Sequence, residues 1–190
     1  MRLKPEDKEK IRQRILGSAA AAFRARGIEA VTLDDVMAGA GLTRGAFYAH
    51  FKSKTALLRD VLRHEHPIHR LLRARSGETG AELLDEMTTI FSGYLDPVNL
   101  EQVHEGCTLA ALTADAARAP VDHRRAYEAA LEDIAEEMAR GQDRPADEML
   151  HAMVLAAGAV TAARACDSTA MQVLILTAAR ETVLDRIGAA

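Results

Sequence analysis

Residues 32–51, TLDDVMAGAGLTRGAFYAHF, constrain the fold more than any other stretch of the chain. Thr32 is placed to cap a short helix, with Asp35 three residues on in the capping-box position. Leu33, Val36 and Met37 then form one apolar stripe at helical spacing. At Ala40-Gly41-Leu42 the chain must turn: Gly41 tolerates a left-handed backbone, and Leu42 fills the angle between two helices. Thr43 caps the second helix, which opens with Arg44, Gly45 and Ala46 and is expected over Thr43–His50. Phe47 faces inward on it, while Tyr48 and His50 carry polar tips outward. Two helices of this length bury too little surface to fold alone, so a third must brace them. The pattern reads as a helix-turn-helix whose second helix enters a major groove.

The bracing helix precedes it. From Pro5 to Arg26, Ile11, Ile15, Ala19, Ala22 and Phe23 recur at 3.6-residue spacing, and Gly27 ends the run. A basic arm at residues 1–7 comes before this helix. Further on, Ser53 caps a fourth helix with Leu57, Leu58, Val61 and Leu62 on its apolar face. Pro67 is expected to end or kink it. Helical runs follow at 79–95, from Cys107 to Arg118, from Val121 to Arg140, at 146–165 and at 169–187. Asp96-Pro97 opens a short segment, and Ala119-Pro120 forces a break. With alanine abundant, five prolines and no run rich in Val, Ile or Thr, the composition argues for an all-α chain of about nine helices.

Charge is divided unevenly. Residues 1–60 hold 12 Lys and Arg against 7 Asp and Glu, whereas residues 61–190 hold 12 against 21. A basic head on an acidic body suits a molecule that meets phosphate at one end. No signal peptide is visible, and the most apolar stretch, Met149–Ala163, is too short to span a bilayer. Cys107 and Cys166 make no disulfide framework and fit a reducing cytoplasm. His64, His66 and His69 cluster near Pro67, but no Cys or carboxylate completes a ligand set, so neither a metal nor another cofactor is expected.

The string GLTRGAFYAHFKSKTALL, preceded by TLDDVMAGA and RQRILGSAAAAFRARGIEAV, closely resembles the N-terminal domain of the tetracycline-repressor (TetR) family. The resemblance is strong over about residues 8–62 and architectural beyond. It implies a helix-turn-helix DNA-binding domain over 1–53 and a helical effector-binding and dimerisation domain over 54–190. Thr43, Tyr48, His50 and Lys54 match family positions that hold the DNA backbone, and Thr32 is expected to do likewise. Arg44 is the one long side chain of the recognition helix's first turn, suited to guanine O6/N7 or to a phosphate. Gly45 and Ala46 let the helix approach the bases. A twofold dimer presenting two such helices calls for a palindromic duplex operator.

For the second domain, Met87, Phe91, Tyr94, His104, Cys107 and Tyr127 are the candidate residues around a small-molecule effector of unknown identity. The apolar periodicity by itself says only that they pack inward. The resemblance supplies the ligand, whose binding would shift the fourth helix and lower DNA affinity. Helices 146–165 and 169–187 are apolar on more than one face, which fits either a central pair or a dimer seam. The preferred reading is a homodimer seam of Met153, Val154, Ala157, Val160, Leu174, Ile175 and Ala178, the element that the resemblance implies. Two rivals remain. Cys107, at a helix start behind Gly106, suits a thiol-sensing repressor. A small helical enzyme has no third orienting group to support it, so no catalytic residue is expected.

Overall fold

The computed structural model describes residues 5–100 and 106–189. Ten α-helices and one 3-10 turn occupy them, where about nine helices were expected, and no strand occurs among the described residues. They gather into two compact units, Met1–Glu65 with Val103–Tyr127 and His66–Gln102 with Glu128–Ala190.

In the first unit α1 (Pro5–Arg26) packs against α2 (Leu33–Gly39) and α4 (Lys54–His64), with the single turn of α3 (Arg44–Phe47) against α2. Its core joins Ile15, Leu16, Ala19 and Phe23 of α1 to Val36 and Met37 of α2, then to Phe47 and Phe51. Leu57, Leu58, Val61 and Leu62 of α4 belong to the same cluster. From later in the chain, α7 (Thr108–Arg118) and the first turns of α8 (Val121–Ala139) add Leu112, Ala116 and Ala126. Polar links fix the helix angles. The Arg12 guanidinium lies 5.2 Å from the Phe51 ring centre and 2.5 Å from an Asp60 carboxylate oxygen. His123 Nε2 sits 2.9 Å from the Thr55 carbonyl, so the ring carries its proton there and donates it.

The second unit holds α5 (Pro67–Arg73), α6 (Gly80–Tyr94), the 3-10 turn at Pro97–Asn99, the later turns of α8, and α9 (Ala146–Arg164) with α10 (Thr169–Ile187). The fourth helix does not continue past Pro67. It ends at His64, and Pro67 opens a separate α5 as its first residue. Proline lacks an N–H and disfavours helical backbone at the residue before it, which accounts for the additional helix. Where α5 ends, Arg75 donates to three carbonyls: Leu72 at 3.0 Å, Leu83 at 3.1 Å, and Glu137. Burial, reinforced by the neighbouring Arg140, pushes the Arg75 guanidinium below its ordinary pKa. Packing runs along the length of α9 and α10, and α10 also touches α6. Among the described residues no helix is long and apolar enough to cross a membrane.

Candidate nucleic-acid interface

The capping pattern written in Thr32–Asp35 builds the start of α2. The Asp35 N–H donates to the Thr32 hydroxyl at 3.1 Å, and the Thr32 N–H donates back to the Asp35 carboxylate at 2.8 Å. The Thr32 backbone and hydroxyl, and then Arg26, hold the Asp35 carboxyl below the usual carboxylate range. At the other end of α2, Gly41 adopts φ +63° and the Leu42 N–H reaches the Met37 carbonyl at 2.8 Å, closing the turn. Arg14 donates to the Ala40 carbonyl at 2.6 Å, and the Ser18 hydroxyl to the Val36 carbonyl at 2.8 Å. A Cβ on Gly39 would lie 2.5 Å from the Ser18 hydroxyl oxygen, so a side chain there would displace that hydroxyl from the Val36 carbonyl. Composition and periodicity gave no sign of these α1 clamps.

α3 is shorter than the expected Thr43–His50. Regular helix covers Arg44–Phe47, and the chain then tightens, with Ala49 N–H to Ala46 O at 3.3 Å and His50 N–H to Phe47 O at 2.9 Å. These i→i−3 bonds are those of a 3-10 turn, which closes a short helix against the following extended residues. The turn buries Phe47 and leaves Thr43, Arg44, Gly45 and Tyr48 exposed. Thr43 occupies the cap position without a side-chain cap bond. Tyr48 lies edge-on to Phe47, with 61% of its surface open. Gly45 has open space where a side chain would be, since a Cβ there meets nothing within 4 Å.

Three other sequence-derived candidates lie differently. Ala46 is half-buried against the core. The His50 ring is half-buried, and its Nδ1 is enclosed without a hydrogen-bond partner. Burial first, then Lys8 and Arg12, lower its pKa below the ordinary histidine value. Lys54, expected on a phosphate, is engaged within the protein in the absence of DNA. Its ammonium donates to the Ile28 carbonyl at 2.6 Å and lies 5.9 Å from the Phe23 ring centre, because that carbonyl and ring face satisfy it within the fold. Arg44 has a partner that the sequence reading did not name: its Nη1 donates to Asp34 Oδ2 at 2.9 Å.

The family description "bacterial regulatory proteins, tetR family" matches residues 15–61, the stretch that holds this short-helix pair and its brace. Residues 15–61 thus carry a tetR-family domain. It is 44% identical over 61 residues to the HTH-type transcriptional regulator SrpR of Pseudomonas putida, a match taking in 32% of this chain and 29% of that protein. The curated relative is therefore matched over less than a third of its length. Among solved structures, the reduced form of Escherichia coli NemR superposes with a TM-score of 0.71 at 18% identity, covering 93% of this chain and 96% of that one. A SmeT–triclosan complex superposes at 0.61 with 20% identity, over 93% and 90% of the two chains. At these identities the structural likeness concerns the fold.

The residues expected around an effector fall in both units. Met87 and Phe91 are fully buried one turn apart on α6, and half-buried Tyr94 lies edge-on to Phe91 with ring centres 6.3 Å apart. Cys107 and Tyr127 belong to the other unit. Cys107 is the cap residue of α7 and only 2% exposed. The Tyr127 hydroxyl donates to the Leu109 carbonyl at 3.2 Å and lies 2.9 Å from the Thr113 hydroxyl. Burial pushes the Tyr127 phenol pKa up. His104 lies outside the described residues, as do the first four residues of the basic arm. Among the described residues, no three His, Cys, Asp or Glu side chains converge as metal ligands.

On α9 and α10 the outward face is apolar, but two expected seam residues are not on it. Met153 and Val160 are buried inside their own unit and have almost no surface left for a partner. Val154 and Leu174 are exposed at 54% and 62%, Ala178 is exposed, and Ala157 and Ile175 are half-buried. Leu155, Met171 and Val173, absent from the expected set, are exposed as well.

Proposed function

We propose that this TetR-family protein is a cytoplasmic, homodimeric repressor that binds a palindromic duplex operator and is released by a small molecule. The bare first turn of α3 carries this reading. Thr43, Arg44 and Tyr48 project from it, and Gly45 lacks a side chain where nothing in the protein excludes one. A glycine there costs helix stability, and its advantage is close approach to something outside the molecule. In this reading Arg44 reads a guanine edge, while Thr32, Thr43, Tyr48 and His50 hold phosphates. Residues 1–53 are assigned to DNA contact and 54–190 to effector binding and pairing. That functional division does not coincide with the packing units, since α4 shares the core of the head.

Pairing is supported by the outward apolar face of α9 and α10. Val154, Leu155, Met171, Val173 and Leu174 are large, apolar and open to water there. Large apolar side chains left exposed on one helix pair support an association surface. Gly158 on the same helix has nothing within 4 Å of a would-be Cβ, which permits close helix approach. The SmeT–triclosan complex, a protein of this fold with triclosan bound, supports effector responsiveness. As regulators rather than enzymes, the curated relatives favour no catalytic role.

A mobility-shift titration decides the reading. Wild type is expected to bind duplex selected from a random pool, as two chains per site. Arg44→Ala is expected to lose ~1–3 kcal/mol on the selected site and to relax one base position per half-site. Equal binding of selected and random duplex by the wild type would refute it.

A further inference from the structure

Asp34 lies on α2, ten positions before Arg44, and the fold brings the two side chains together through an Nη1–Oδ2 hydrogen bond of 2.9 Å. Both side chains are well exposed, Arg44 at 61% and Asp34 at 63%. A carboxylate beside the proposed base-reading arginine is unexpected, because it repels the phosphates that a basic head attracts. Helix capping does not account for it, since Thr32 and Asp35 already complete the capping box of α2. As a first-turn acid Asp34 also favours the N-terminus of α2. That role does not require a partner at Arg44, and an exposed ion pair adds little to folding while still biasing where the guanidinium points.

Its effect on Arg44 does account for it. A free arginine on this surface samples many rotamers and bonds whichever phosphate is nearest, which carries no sequence information. Tied through Nη1, the guanidinium keeps its Nε–H and Nη2–H edge, which makes no bond among the described residues. Those two parallel donors match the paired acceptors N7 and O6 of guanine. The geometry points to Asp34 as the positioning residue for Arg44, one that trades general affinity for duplex against discrimination at a single base pair. The inference rests on the DNA-binding reading above and adds a specificity determinant to it.

The test is a double-mutant cycle on the full chain. Wild type, Asp34→Ala, Arg44→Ala and the double variant are titrated against the selected duplex and against random duplex of equal length, at one salt concentration. Both residues are exposed, and thermal melts verify that each variant folds. Asp34→Ala is expected to bind random duplex more tightly, having lost a negative charge, while its preference for the selected site falls by about twofold to fivefold. The loss should fall at the base pair that Arg44→Ala relaxes, and Asp34→Ala should have no further effect on preference once Arg44 is absent. Asp34→Asn keeps an acceptor oxygen without the charge, so it should gain affinity on both duplexes and keep most of the preference. Equal gains on both duplexes for Asp34→Ala would overturn the inference and leave the DNA reading standing. So would a loss of preference that persists without Arg44, because Asp34 would then contact a base directly. A wild type that selects no sequence takes both down, and is told apart by failing before any variant is compared.

Discussion

Gly45 shows at the scale of one residue how a position can be costly to the free protein. It stands in the first turn of α3, and a methyl group there would meet only solvent. Gly45→Ala is therefore expected to stabilise the unbound protein by ~0.5–1 kcal/mol in denaturant melts while weakening operator binding. A variant that gains stability and keeps full affinity would remove close approach as the reason for the glycine. His50 supplies a pH test. Burial, Lys8 and Arg12 lower its folded pKa below the unfolded value, so the unfolded chain binds more protons in that window. Its contribution to stability is complete above the ordinary histidine pKa and is lost as pH falls through it. DNA acts in the opposite direction, since a nearby phosphate favours the imidazolium. Operator affinity is expected to rise from about pH 8 to about pH 6, and to rise less in His50→Gln measured alongside.

Among the elements, helix bounds follow from short-range signals, and these were legible. α1 runs over Pro5–Arg26, as its apolar period and Gly27 indicated. α6 to α10 fall within a residue or two of the expected runs. α3 departed, because whether its last residues stay helical depends on how Phe47 and Phe51 pack, and the two rings stack 5.7 Å apart. Long-range polar ties left no mark in the sequence. Arg75 lies at the end of α5 yet satisfies carbonyls of α6 and α8, and Arg140 returns to the Arg75 carbonyl at 3.1 Å. Replacing Arg75 with methionine keeps the bulk and strands those carbonyls. The expected loss is ~3 kcal/mol or more in urea unfolding. A change within ~0.5 kcal/mol would mean that water replaces the guanidinium.

For the whole molecule, association determines whether the proposed function is possible. The exposed face of α9 and α10 places Val154 and Leu174 in water in a single chain. Val154→Arg and Leu174→Arg are each expected to give single-chain mass by light scattering and to lose tight operator binding, with helix content unchanged. Dimers that survive both substitutions would move the seam elsewhere. By itself, the sequence determined the all-α class, the turn at Gly41 and the capping of α2, because each is encoded by residues within a few positions of one another. Only the tertiary structure decided which side of an all-round apolar helix faces in, drawing Met153 and Val160 into the core while leaving Val154 outside. It also turned Lys54 toward Ile28 and set Asp34 against Arg44. Direction and pairing depend on partners brought from elsewhere in the chain, and no local pattern records them.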